Sequence, residues 1–211
     1  MDGVTRGLAA MPDRSVLAAR GRRLEYFTIG WNSVEGVIGV AAGAMAGSIS
    51  LVGFGVDSFI EVASGAALLW RMAADADVDR REHVEYLARR IVGACFVALA
   101  VYVTVEALGA LAERGAPAPS LPGIVLACAA LVVMPILSRA KHRVGHALRS
   151  DAMRADANQA TFCSYLSAIL LGGLLLNSLW GLWWADPAAG LVMAPIIAQE
   201  GVNGLRAKRC C

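Results

Sequence analysis

The stretch S-L-V-G-F-G-V-D-S-F-I-E, Ser50 to Glu61, sets two carboxylates four residues apart inside an apolar run. On a helix, Asp57 and Glu61 share one face. Ser50 and Ser64 lie seven residues to either side of Asp57, on the same stripe. A carboxylate at the centre of a lipid-spanning helix costs about 2.5–3.5 kcal/mol on insertion scales, so such residues face a protein interior or a wet cavity. Like charges at this spacing repel unless a cation sits between them, and a hard or borderline dication meets that need. The alternatives are a proton-binding acid pair and a structural hydrogen-bond cluster.

Outward from this stretch the chain divides into six apolar blocks: Leu24–Met45, Ser48–Met72, Ile91–Glu113, Pro122–Ser138, Asp156–Leu179 and Trp184–Leu205. Each is close to the roughly 20 residues a helix needs to cross about 30 Å of hydrocarbon. The 211 residues are 57% hydrophobic, with a mean hydropathy of +0.58. A soluble domain is nearer about 45–50% apolar. The expected fold is therefore all-α, a polytopic bundle of six transmembrane helices. Ala46–Gly47 should make a tight hairpin. Arg114–Leu121, with two prolines, should close the third and fourth blocks, and Trp180–Trp184 should form an aromatic turn at an interface.

The charges fix the orientation. Of the 19 lysines and arginines, all but Arg114 fall in the amino-terminal arm, the 71–90 loop, the 139–154 loop or the tail. Cytoplasmic loops carry the basic excess, so both termini are expected in the cytoplasm, with the protein multi-pass in the inner (plasma) membrane. Five or seven spans would scramble this alternation. The expected organisation is a basic cytoplasmic arm over 1–23, the six-helix domain over 24–206 and a short tail over 207–211 with no soluble carboxy-terminal domain. The arm has no apolar core and is not a cleavable signal peptide. The 71–90 loop, mixing acids and bases, reads as a solvated helical extension.

The fifth block opens with Asp156, Gln159 and Cys163, with Asn177 two heptads beyond Cys163. Gln159 and Cys163 are again four apart. A cysteine alone in a span is usually a small apolar filler. Set against Asp57 and Glu61, it would complete four ligands from two helices, a tetrahedral set of the kind zinc favours. The first block carries Asn32 and Glu35, then Gly39, Gly43 and Gly47. The glycines read as close helix packing. Asn32, Glu35 and Asp156 are candidates for an ion-access or proton route. Glu106, Asp186 and Glu200 read as solvated at interfaces. His142 and His146 lie in a basic loop and read as solvated. His83 with Asp79 or Glu82 would make at most a weak second metal site, and Cys210 and Cys211 read as inert. Three of the five cysteines fall inside apolar blocks, which is not a disulfide framework. No soluble-enzyme motif is present.

The Ser50–Glu61 stretch resembles the second helix of the cation diffusion facilitator family, which carries half of that family's transport site. R-A-D-A-N-Q-A-T-F-C, Arg154 to Cys163, resembles the start of its fifth helix. Six spans and cytoplasmic termini fit the same resemblance, which covers about residues 24–206. It implies metal ligation by Asp57, Glu61, Gln159 and Cys163, and export of Zn2+ or a related ion from the cytoplasm by proton antiport. It also implies a homodimer, here through transmembrane helices. Gln159 and Cys163 depart from the family's usual His/Asp pair, and a thiolate favours softer ions. The expected partners are lipid, the cation and protons, with no nucleic acid, and the metal is cargo rather than cofactor. The alternatives are a metal-binding sensor or assembly protein that does not transport, and a transporter of another cation.

Overall fold

A computed structural model of the protein describes residues 14–73 and 78–206. All regular structure among them is helical: α1 (Arg14–Ala46), α2 (Ile49–Ala73), α3 (Val78–Glu113), α4 (Leu121–Leu148), α5 (Asp151–Trp180) and α6 (Ala185–Leu205). Four of these, α2 to α5, contain stretches long and apolar enough to cross a membrane. The helices outrun the apolar blocks. α1 begins ten residues before Leu24, α3 takes in much of the 71–90 loop, and α4 runs through most of the 139–154 loop. Charged side chains end the hydrophobic run but do not break helical hydrogen bonding.

What ends the helices is local. Gly47 takes the left-handed conformation (φ 68°), and Ser48 N–H donates to the Gly43 carbonyl at 2.9 Å. This is a glycine C-cap, available cheaply only without a Cβ. Gly181 (φ 63°) does the same after α5. Arg149 closes α4 in the left-handed region, and Ser150 then caps α5 by accepting from Met153 N–H. Before α4, Ser120 accepts from Gly123 N–H at 3.2 Å. The connection from α3 is tied down where Asn177 donates to the Pro117 carbonyl at 2.9 Å.

The six helices close a ring in the order α1, α2, α3, α6, α5, α4, and α2 also meets α5 and α6 across the centre. Small residues set the closest approaches. A Cβ on Gly55 would lie 2.5 Å from the Val40 nitrogen, and one on Gly93 would lie 2.7 Å from the Gly201 carbonyl oxygen. Lipid gives helices no hydrophobic reason to associate, so backbone proximity of this kind supplies dispersion contact instead.

The polarity is inverted relative to a soluble domain. Val37, Val101, Val105, Val132 and Ile136 are exposed, whereas Glu25, Asn32, Glu35, Asp57 and Glu61 are buried. An apolar exterior with ionisable residues inside is the arrangement a bilayer imposes. Asp186 corrects the expectation of a solvated interfacial acid. It is 1% exposed. Its carboxylate accepts from Ser48 Oγ at 2.6 Å, from Ile49 N–H at 3.0 Å and from Ser50 Oγ. An acid of α6 thus caps the start of α2, where the helix dipole favours negative charge.

Gly55→Ala should lower the melting temperature in detergent, because overpacking of this kind costs about 1–3 kcal/mol. Gly30→Ala, whose Cβ would meet nothing within 4 Å, should not. Equal melting of the two variants would refute the tight α1–α2 contact.

Candidate metal site between α2 and α5

Asp57 and Glu61 stand one turn apart on the face of α2 that looks across the ring, and Gln159 and Cys163 stand one turn apart on α5. All four are buried, at 3%, 6%, 8% and 1% exposure respectively. One carboxylate oxygen of Asp57, one of Glu61 and the Cys163 sulfur all lie within 4.8 Å of one another. These three and Gln159 line a small cavity of about 10 Å³ walled by Phe96, Phe162, Leu166, Ile196 and Ile197. Bonds of about 2.0–2.3 Å to zinc place its ligands about 3.3–3.7 Å apart, so the trio needs to close by no more than about 1–1.5 Å to hold the ion. Without a cation, two carboxylates at about 5 Å repel by about 3–4 kcal/mol at an effective dielectric of about 20. The donor set therefore fits a dication with some affinity for sulfur.

The first helix supports this site from behind. Asn32 Nδ2 donates to Glu61 Oε2 at 2.5 Å, the kind of contact that fixes a ligating carboxylate. Glu35 is fully buried and accepts from Ser58 Oγ at 3.2 Å. Neither Asn32 nor Glu35 lines the small cavity or the larger one described next.

A second cavity, of about 250 Å³, lies between the ends of α2, α3, α5 and α6 at the basic end of the bundle. Its lining includes Ser64, Arg89, Asp156, Gln159 and Glu200. Asp156 belongs also to an ion triad. Lys141 Nζ donates to Glu25 Oε2 at 3.1 Å and to Asp156 Oδ2. Lys141 is 1% exposed, so it is not one more solvated charge of the 139–154 loop. The signal was present in the sequence. Lys141 continues the stripe of Met134, Leu137, Ser138, Val144 and Gly145, all buried, at helical spacing.

His142 and His146 stack at 6.2 Å, and His146 is exposed. The side chain of His83, and Cys210 and Cys211, lie outside the described residues. Glu106 is exposed on α3.

Residues 27–208 match the cation efflux transmembrane domain. The chain belongs to the cation efflux family. This agrees with the resemblance of Ser50–Glu61 and Arg154–Cys163, and it makes the protein a multi-pass membrane protein of a transporter family, not an enzyme. Among its relatives is Transmembrane protein 163 of Xenopus laevis, 25% identical, with 88% of this chain and 68% of that protein covered. An uncharacterized transporter of Synechocystis is 24% identical over 86% of this chain and 61% of its own length. An uncharacterized transporter of Methanocaldococcus jannaschii is 26% identical over 80% and 61%. The cation efflux chain thus spans about two thirds or less of the length of these relatives.

Lys141→Ala should destabilise the fold strongly. Stripping one partner from a buried ion network costs about 3–5 kcal/mol, which would appear as a lower melting temperature or loss of folded protein in detergent. The triple change Lys141→Met, Glu25→Gln and Asp156→Asn, which leaves no unpaired charge, should be tolerated better. A Lys141→Ala protein as stable as the unaltered one would refute the triad.

Proposed function

We propose that the protein exports a divalent transition metal, Zn2+ foremost, from the cytoplasm through Asp57, Glu61, Gln159 and Cys163, with protons moving the opposite way. The observation that carries this reading is the meeting of two acids and a thiol from facing helices in a small buried cavity of a cation efflux protein. α1 and α6 are taken to span the membrane with the other four helices. The basic excess at one end argues that this end, with both termini, faces the cytoplasm of the plasma membrane.

An ion leaving the cytoplasm enters the larger cavity, which opens at that same end, and moves inward to the carboxylates. Coordination displaces protons from the acids and the thiol, since ligands bind metal deprotonated. Opening of the site to the far side would release the ion, and protons arriving there would restore the acids. Asp156 lines the access cavity but is held by Lys141. Asn32 and Glu35 act from behind α2, orienting the carboxylates and offering protons. The thiol sets the preference toward borderline and soft ions. Transmembrane helices provide the surface for a homodimer.

Reconstituted protein should carry Zn2+ across proteoliposome membranes under a pH gradient, and Asp57→Ala with Glu61→Ala should reduce flux to that of protein-free vesicles. Unaltered rates in the double variant would refute the site. Stoichiometric Zn2+ binding without any flux would favour a metal-binding sensor or assembly role instead.

A further inference from the structure

Three side chains line both cavities: Phe96 of α3, Gln159 of α5 and Glu200 of α6. They mark the neck where the access cavity and the buried cluster adjoin. Phe96 is 4% exposed and offers no ligand. Glu200 is half-buried and lines the small cavity together with Asp57. Among the described residues no lysine or arginine is within ion-pair distance of Glu200. The other carboxylate of the access cavity, Asp156, is already matched by Lys141. Gln159 is 8% exposed, and its Nε2 has no hydrogen-bond partner. An unpaired buried amide costs about 1–3 kcal/mol, and its two ends exchange by a flip that leaves its shape unchanged.

We infer that Glu200 and Gln159 form a second, transient cation site at this neck, where a hydrated divalent ion exchanges water for one carboxylate oxygen and one amide oxygen on its way to Asp57, Glu61 and Cys163, with Gln159 shared by both sites. The inference rests on the transport reading above. It gives Glu200, which looks from the sequence like a solvated acid, a ligand role on a third helix. A carboxylate at the neck attracts dications and lowers the cost of shedding their hydration in steps. Hard and borderline dications both accept such oxygen ligands, so the neck admits the ion and the thiol below it discriminates.

The test compares Glu200→Gln, Glu200→Asp and Asp57→Asn in the full chain. Zn2+ is the probe, both for equilibrium binding in detergent against a chromophoric chelator and for flux into proteoliposomes. Glu200→Gln should raise the half-saturating Zn2+ concentration for flux about tenfold, equivalent to about 1.4 kcal/mol. The maximal rate and the one tightly bound ion should remain. Glu200→Asp, which keeps the charge but draws it back, should fall between the two. Half-saturation in Glu200→Gln equal to that of the unaltered protein overturns the neck site. So does loss of the tightly bound ion in both Glu200 variants, since Glu200 would then belong to the cluster itself. If Glu200→Gln does not fold, an unchanged half-saturation in Glu200→Asp overturns it equally. Asp57→Asn separates the two levels: it should lose the tight ion, and its binding and carrying Zn2+ normally would remove the transport reading beneath.

Discussion

The structure depends on the approach of α2 to α5 across the centre of the helix ring, which brings two carboxylates and a thiol together away from both water and lipid. No packing advantage explains this placement. Leucine or valine at the same positions would fill the space without the insertion cost of an acid and without repulsion between neighbouring charges. The glycine contacts of α1 with α2, and of α3 with α6, draw the ring tight enough for those side chains to converge.

Asp186, Glu25 and Asp156 show what structural placement looks like here. Asp186 is met by two serine hydroxyls and a backbone N–H. Glu25 and Asp156 are met by Lys141. Each set supplies its own donors or counter-charge, as buried ions must. Asp57 has no hydrogen-bond donor among the described residues, and Glu61 receives Asn32 alone. Asp57 and Glu61 share a single donor and have no internal cation among the described residues, and that deficit is what a transported dication would fill. The triad and the Asp186 cap sit at opposite ends of the bundle, and each ties helices that flank the central site.

Much of this was legible in the sequence because its signals are local. Apolar runs of bilayer length announce helices, and Gly47 and Gly181 announce their ends. The pairs Asp57/Glu61 and Gln159/Cys163 declare shared faces through their spacing alone. The helix lengths were less legible, because a charge at the membrane boundary interrupts hydropathy without interrupting the helix. Lys141 and Asp186 look solvated when charges are sorted by loop. Helical periodicity already places Lys141 on a buried stripe, whereas the bonding of Asp186 to Ser48 and Ser50 spans more than 130 residues of sequence and has no local signal. The role of Glu200 is of the same kind, since it needs two cavities to meet at one side chain.

The most direct measurement is zinc K-edge X-ray absorption on the purified, zinc-loaded protein. A buried site built from the α2 acids and Cys163 should show one sulfur at about 2.3 Å with oxygen or nitrogen neighbours at about 2.0–2.2 Å. The sulfur should vanish in Cys163→Ser. A shell of oxygens alone in the unaltered protein, or a sulfur that persists in Cys163→Ser, would contradict a metal site between α2 and α5.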